Sequence, residues 1–137
     1  MHRLRLAVPI LLLALTACPQ ETAVWIAPGS TASDLTFLFG RDQGRERRIS
    51  IFVRVDRCDR IAQGGHGGES MWMVQIDTSR ITYGETGPGA WAESPARPLT
   101  PGCYHVMMSG TGGLVFSVGP NGAITELDSL PRAPSAS

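Results

Sequence analysis

The chain has 137 residues, room for one domain and little more. All 12 of its basic residues are arginine, which excludes mechanisms built on a lysine Schiff base or a lysine general base. The formal net charge is zero, which gives no basis for a nucleic acid or an acidic surface as partner, and 42% of the residues are hydrophobic, too many for a disordered chain.

At the N-terminus, Arg3 and Arg5 precede an apolar run over residues 6–17 that contains Pro9. The run falls short of the roughly 20 residues that span a bilayer and has the length of a signal-peptide core, expected to be helical. Small residues then lead directly into a cysteine. Leu15-Thr16-Ala17-Cys18 resembles the lipobox of bacterial lipoproteins at all four positions. The resemblance implies that the Cys18 thiol receives a diacylglyceryl group, that cleavage falls before Cys18, and that the new amine is acylated. Several chains make physical sense, because one acyl chain anchors only marginally. Pro19 stands where an Asp would imply inner-membrane retention, so the resemblance implies the outer membrane. Residues 1–17 are therefore read as signal, 18–22 as a lipidated tether, 23–128 as the domain and 129–137 as a disordered tail.

Setting Cys18 aside leaves Cys58 and Cys103, an even pair in an exported domain, which reads as one disulfide. The alternative is a zinc site made by both thiols and His105, with one position open. No CxxC or HxxH spacing accompanies it, so no metal or cofactor is expected.

Along the domain, "AVWIA" (23–27) is a short strand closed by "PGSTAS". "DLTFLFGR" (34–41) alternates Leu35, Phe37 and Phe39 against Thr36, Leu38 and Gly40. In "RRISIFVRVDRC" (47–58), Ile49, Ile51, Val53 and Val55 share one face, with Ser50, Phe52, Arg54 and Asp56 on the other. "IAQGGHGGES" (61–70) reads as a loop. "MWMVQID" (71–77) puts Trp72, Val74 and Ile76 on one side, and "RITYG" (80–84) is a further short strand. Residues 85–101, rich in Pro and Gly, read as an irregular connection. "CYHVMMSG" (103–110) presents Tyr104, Val106 and Met108 on one face. Residues 112–127 form a hairpin around "GPNG". With no helical period after the signal, about seven or eight short strands predict an all-β domain, a small β-sandwich, with a small barrel as the alternative.

"LTPGCYHV" (99–106) is similar to the Leu-x-x-Gly-x-Tyr-x-Val pattern of exported immunoglobulin-like and transthyretin-like sandwich modules. The similarity implies that Leu99, Gly102, Tyr104 and Val106 are structural, with the tyrosine hydroxyl bonded to nearby backbone. In antibody-type domains the cysteine follows the tyrosine by two positions. Here Cys103 precedes Tyr104, a departure that separates this disulfide from the usual inter-sheet one.

Reactive side chains are few. His66, flanked by four glycines with Glu69 nearby, could bind a ligand or act as a base, but four glycines make such a site costly to preorganise. His105 is out of phase with Tyr104 and Val106 and is expected on the opposite face. Ser109 reads as a turn residue, and no G-x-S-x-G occurs. Trp91 could stack on a sugar or anchor a partner if exposed; packing at one end of the sandwich is the expectation. Arg41, Arg45, Arg47 and Arg48 surround one turn; such a patch could bind anionic lipid or polysaccharide, but Asp42 and Glu46 are expected to neutralise it. The resulting expectation is a non-enzymatic binding or structural module with no catalytic residue, held at the membrane through Cys18, with an envelope protein or glycan as partner. A small metal-dependent or hydrolytic enzyme using His66 and His105 is the alternative, and an envelope enzyme inhibitor a third.

Overall fold

The computed structural model describes residues 22–41, 44–58, 68–109 and 111–128. The expected signal with Cys18, the loop with His66 and the tail lie outside the described residues.

The described chain is all-β. Its strands are β1 (Ala23–Ile26), β2 (Thr36–Gly40), β3 (Ile49–Arg57), β4 (Ser70–Thr78), β5 (Arg80–Thr82), β6 (Ala90–Ser94), β7 (Gly102–Met108), β8 (Thr111–Val118) and β9 (Ile124–Leu127). They form a three-stranded sheet, β1-β2-β5, and a six-stranded sheet, β6-β4-β3-β7-β8-β9. Every pairing is antiparallel.

The two sheets bury their inner faces against each other in a sandwich-like arrangement. Phe37 and Phe39 come from β2 and Ile81 from β5; Val53, Val55, Trp72, Val74, Ile76, Tyr104, Val106 and Phe116 come from the larger sheet. These are the positions the period-two alternation assigns inward. Each large apolar side chain so buried stabilises by about 1.5–3 kcal/mol. Phe37 meets Phe116 across the sheets at 6.1 Å between ring centroids, and Phe116 stacks on Tyr104 at 5.4 Å. Along one side further hydrogen bonds join them: Ile26 N donates to the Glu126 carboxylate Oε1 at 2.9 Å, and in the adjoining loops Ala32 N donates to Gly122 O at 2.9 Å.

Residues 85–101 are not wholly irregular. Ala90–Ser94 forms the edge strand β6, paired to β4 with Ala90 opposite Ile76 and Trp91 opposite Gln75. Its sequence hides it because only Ala90 is buried, so no apolar alternation marks the strand. Its backbone ladder to β4 holds it in place.

Tyr104 anchors the entry to β7. It is fully buried; its hydroxyl donates to Thr100 O at 2.6 Å and accepts from Thr100 N at 3.0 Å. Gly102 has φ +149°, and a Cβ there would lie 2.8 Å from the Arg57 guanidinium. Arg57 lies over the Tyr104 ring at 5.4 Å and donates to Thr100 Oγ1 at 3.0 Å. Glycine is needed at 102 both for the backbone angle and for the room Arg57 occupies.

Cys58 and Cys103 are disulfide-bonded, with Cα atoms 5.3 Å apart and a sequence separation of 45. Cys58 N also donates to Cys103 O at 3.1 Å. The bond joins β7 to the residue that follows β3, within one sheet rather than between two. Closing a loop of that length stabilises by roughly 4 kcal/mol in the chain-entropy account. In a Cys18→Ser chain, thiol titration in denaturant is expected to detect no thiol before reduction and both Cys58 and Cys103 after it. Reduction is expected to lower unfolding stability by about 2–5 kcal/mol; reactive Cys58 and Cys103 in the unreduced protein would contradict the pairing.

Candidate functional site

With one phase of each strand committed to the core, the other phase of the six-stranded sheet forms an outer face. Register orders it into rows. Trp91 of β6 is opposite Gln75 of β4, which is opposite Phe52 of β3. Next come Met73, Arg54 and Met107, on β4, β3 and β7. Ser70, Asp56, His105 and Val115 make the third row, across β4, β3, β7 and β8. Phe52, Met73, Met107 and Val115 are half-buried. Trp91 is 57% exposed, so it does not plug an end of the sandwich as expected. Its place on an edge strand, facing away from the core, removes any inner partner.

The third row is polar apart from Val115, and Asp56 within it is fully buried. A register shift between Val55 and Asp56 sets Val55 opposite Trp72 and Asp56 opposite Ser70. Met71 and Trp72 are consecutive and both join the core, as a bulge allows. Asp56 is 0% exposed although it sits at an outward position. Its Oδ1 accepts from Arg54 Nε at 2.7 Å. Asp56 Oδ2, Ser70 Oγ and His105 Nδ1 are buried without a hydrogen-bond partner among the described residues. Each such group costs about 1–3 kcal/mol when left unsatisfied. Burial pushes the His105 pKa below the ordinary imidazole value, and the Asp56 charge partly opposes that.

This row does not assemble a nucleophile. A serine–histidine–aspartate set needs the histidine between the other two, bonded to both. Here the register puts Asp56 in the middle, with Ser70 and His105 on either side. Nor do the cysteines provide metal ligands, since both sulfurs are spent in the disulfide. No group of three or more His, Cys, Asp or Glu side chains suited to a metal occurs among the described residues.

The other candidates fall elsewhere. Cys18 and His66 are outside the described residues. Glu69 is ion-paired with Arg97. Ser109 Oγ accepts from Phe52 N at 3.3 Å, and Ser109 N donates to Phe52 O at 3.1 Å, a strand-end role. Arg48 and Glu46 do not pair within their own turn: Arg48 grips Asp77 through two bonds of 2.9 and 2.6 Å, and Glu46 receives two from Arg80 at 2.8 and 2.6 Å. A cavity of about 400 Å³ lies between Leu35, Tyr83 and Leu99, and its only charged lining residue is Arg97. Sequence reasoning missed Phe52, Met73 and Met107 as a group. The available signal was three large apolar residues at outward phases of three strands.

His105 yields a pH prediction. Its folded-state pKa lies below the unfolded value, so the unfolded chain binds more protons as pH falls through about 6.5. Stability is therefore expected to decrease on acidification through that range and to level off below the folded pKa. Denaturant midpoints measured against pH should show this decline in the native protein and a shallower one in His105→Gln. Identical slopes would contradict the assignment.

The sequence matches no protein-family model, and neither a curated protein nor a solved structure shows significant similarity to it.

Proposed function

We propose that this chain is a lipid-anchored envelope domain, a sandwich of the immunoglobulin-like or transthyretin-like kind, whose role is non-enzymatic binding. The observation that carries the binding reading is the composition of the outer sheet face. Phe52, Met73 and Met107 adjoin Arg54, Trp91 stands on the same face opposite Gln75, and aromatic, methionine and arginine residues are the types enriched at protein interfaces. Methionine side chains adapt to a partner's shape, and an exposed tryptophan supplies a rigid anchor. The partner is therefore a protein of the same envelope. A glycan is the second reading, favoured by Trp91 beside Gln75 alone. The anchor rests on Leu15-Thr16-Ala17-Cys18 and on the charged and apolar segments before it. Palmitate-type acylation at Cys18 and an outer-membrane address belong to the same reading.

Two experiments separate these parts. Cys18→Ser is expected to release the protein from the membrane fraction or leave the precursor unprocessed. Unchanged retention with normal processing would remove the anchor. Chemical crosslinking in intact envelope, followed by purification, is expected to capture a defined protein. Trp91→Ala should weaken that capture by on the order of 30-fold, the effect of losing one interface hot spot. Equal capture by Trp91→Ala would remove the outer face from the binding role.

A further inference from the structure

The β2–β3 turn combines an arginine cluster with the place where the tether enters the domain. Ala23, the first residue of β1, pairs with Gly40, the last residue of β2, and Arg41 follows immediately. Cys18 lies five residues before Ala23, and an extended chain of that length reaches under about 20 Å. We propose that this pole of the domain, built from Arg41, Arg45 and Arg47, is a docking surface for anionic lipid headgroups. The inference rests on the lipid-anchor reading, which brings the pole to the membrane.

The described residues on either side of the turn are tied together by backbone pairing. Gly40 is bridged to Glu46, and Arg47 N donates to Phe39 O at 2.8 Å. A Cβ on Gly40 would lie 2.0 Å from Arg45 O and 3.1 Å from the Trp25 ring, so only glycine admits this closure. The backbone is thus held with its arginines outward.

Charge is distributed unevenly at this pole. Among the described acids near the turn, Glu46 of the turn is paired with Arg80, and Asp77 of β4 with Arg48. Arg41, Arg45 and Arg47 are exposed and have no ion pair among the described residues. Asp42 included, residues 41–48 carry a formal charge of +2. The three arginines and Glu46 line a concavity of about 370 Å³. Guanidinium forks match phosphate oxygens two at a time, which a headgroup layer offers repeatedly. Trp25, half-buried beside Gly40, adds an aromatic ring at the same pole, the residue type that favours the membrane interface.

Acyl chains alone leave a domain free to swing on its tether. The arginines add an orienting contact, worth roughly fivefold in partition per residue near an anionic surface. With this pole down, the strand ends meet the membrane and the outer face of the six-stranded sheet is turned sideways.

Every described strand, the core and the disulfide lie within residues 22–128, so a chain beginning at Pro19 keeps the whole described fold. That oxidised chain, lacking Cys18, is mixed with vesicles of phosphatidylcholine alone or of phosphatidylcholine with phosphatidylglycerol, and sedimented. It is expected to bind the anionic vesicles, to leave them as salt rises, and to ignore the neutral ones. Arg41→Gln/Arg45→Gln/Arg47→Gln should lose on the order of 100-fold in partition. Arg97→Gln, away from the pole, should bind like the native chain, and circular dichroism confirms that each variant is folded. No preference for anionic vesicles, or equal binding by the triple variant, would overturn the proposal. So would complete competition by inorganic phosphate at matched ionic strength, which would indicate a single-anion pocket. Mass spectrometry of the N-terminal peptide reads Cys18 acylation separately, so the anchor can fail without the vesicle result failing.

Discussion

The β3–β7 pairing is the constraint on which the rest depends. These are the central strands of the six-stranded sheet, and their register sets Val55 opposite Val106 and Asp56 opposite His105. A slip of one residue in either strand would exchange core for surface along its whole length. Val53, Val55, Tyr104 and Val106 would leave the core, and Arg54, Asp56 and His105 would enter it. The pairing is clamped at one end by three linked devices. The disulfide ties Cys58 to Cys103, the Tyr104 hydroxyl ties β7 to Thr100, and Arg57 covers both Gly102 and the Tyr104 ring. Each acts within a few residues of the others, so they reinforce one register.

Once that register holds, the outer face follows without further specification. Alternation leaves Phe52, Arg54 and Asp56 outward on β3, and β4, β6 and β7 supply their neighbours. The bulge on β4 makes the one local adjustment, admitting both Met71 and Trp72 to the core and bringing Ser70 beside Asp56. The result is a face that is apolar towards the β6 edge and polar towards the disulfide end. Burying Asp56 with one bonded oxygen is unfavourable for stability alone. Local departures from the most stable arrangement are characteristic of surfaces kept for a role other than folding. In the proposed function, the tether pole would face the membrane and the outer face the partner.

Much of the fold was legible because it rests on period-two alternation. Trp72, Val74 and Ile76, and then Tyr104, Val106 and Met108, read as inward and are inward. "GPNG" read as a turn, and Gly122, at φ +80°, closes it through a bond from Gly122 N to Gly119 O at 3.0 Å. Cysteine parity, once Cys18 was set apart, was enough to pair Cys58 with Cys103. What was not legible depends on contacts far apart in sequence. Strand β6 is defined by its neighbour rather than by its own burial, which also explains why Trp91 is exposed. Glu46 looked like the natural partner of the adjacent arginines, yet it bonds Arg80, 34 residues away. Arg48 likewise reaches Asp77, 29 residues away. Charge order along a turn does not reveal which charges meet, and that Arg41, Arg45 and Arg47 have no ion pair among the described residues emerged only from the folded arrangement. Asp56 was placed on the correct face, but its complete burial depends on neighbours from two other strands.

The central claim is that the outer face of the six-stranded sheet is the binding surface of a membrane-held domain. Site-specific photo-crosslinking in intact cells tests it most directly. A photoreactive side chain is introduced in place of Trp91, or, for comparison, in place of Thr82, which lies outward on the other sheet. The account predicts a discrete protein adduct from position 91 and none of that mass from position 82. Adducts of equal yield from both positions, or an adduct from position 82 alone, would contradict it.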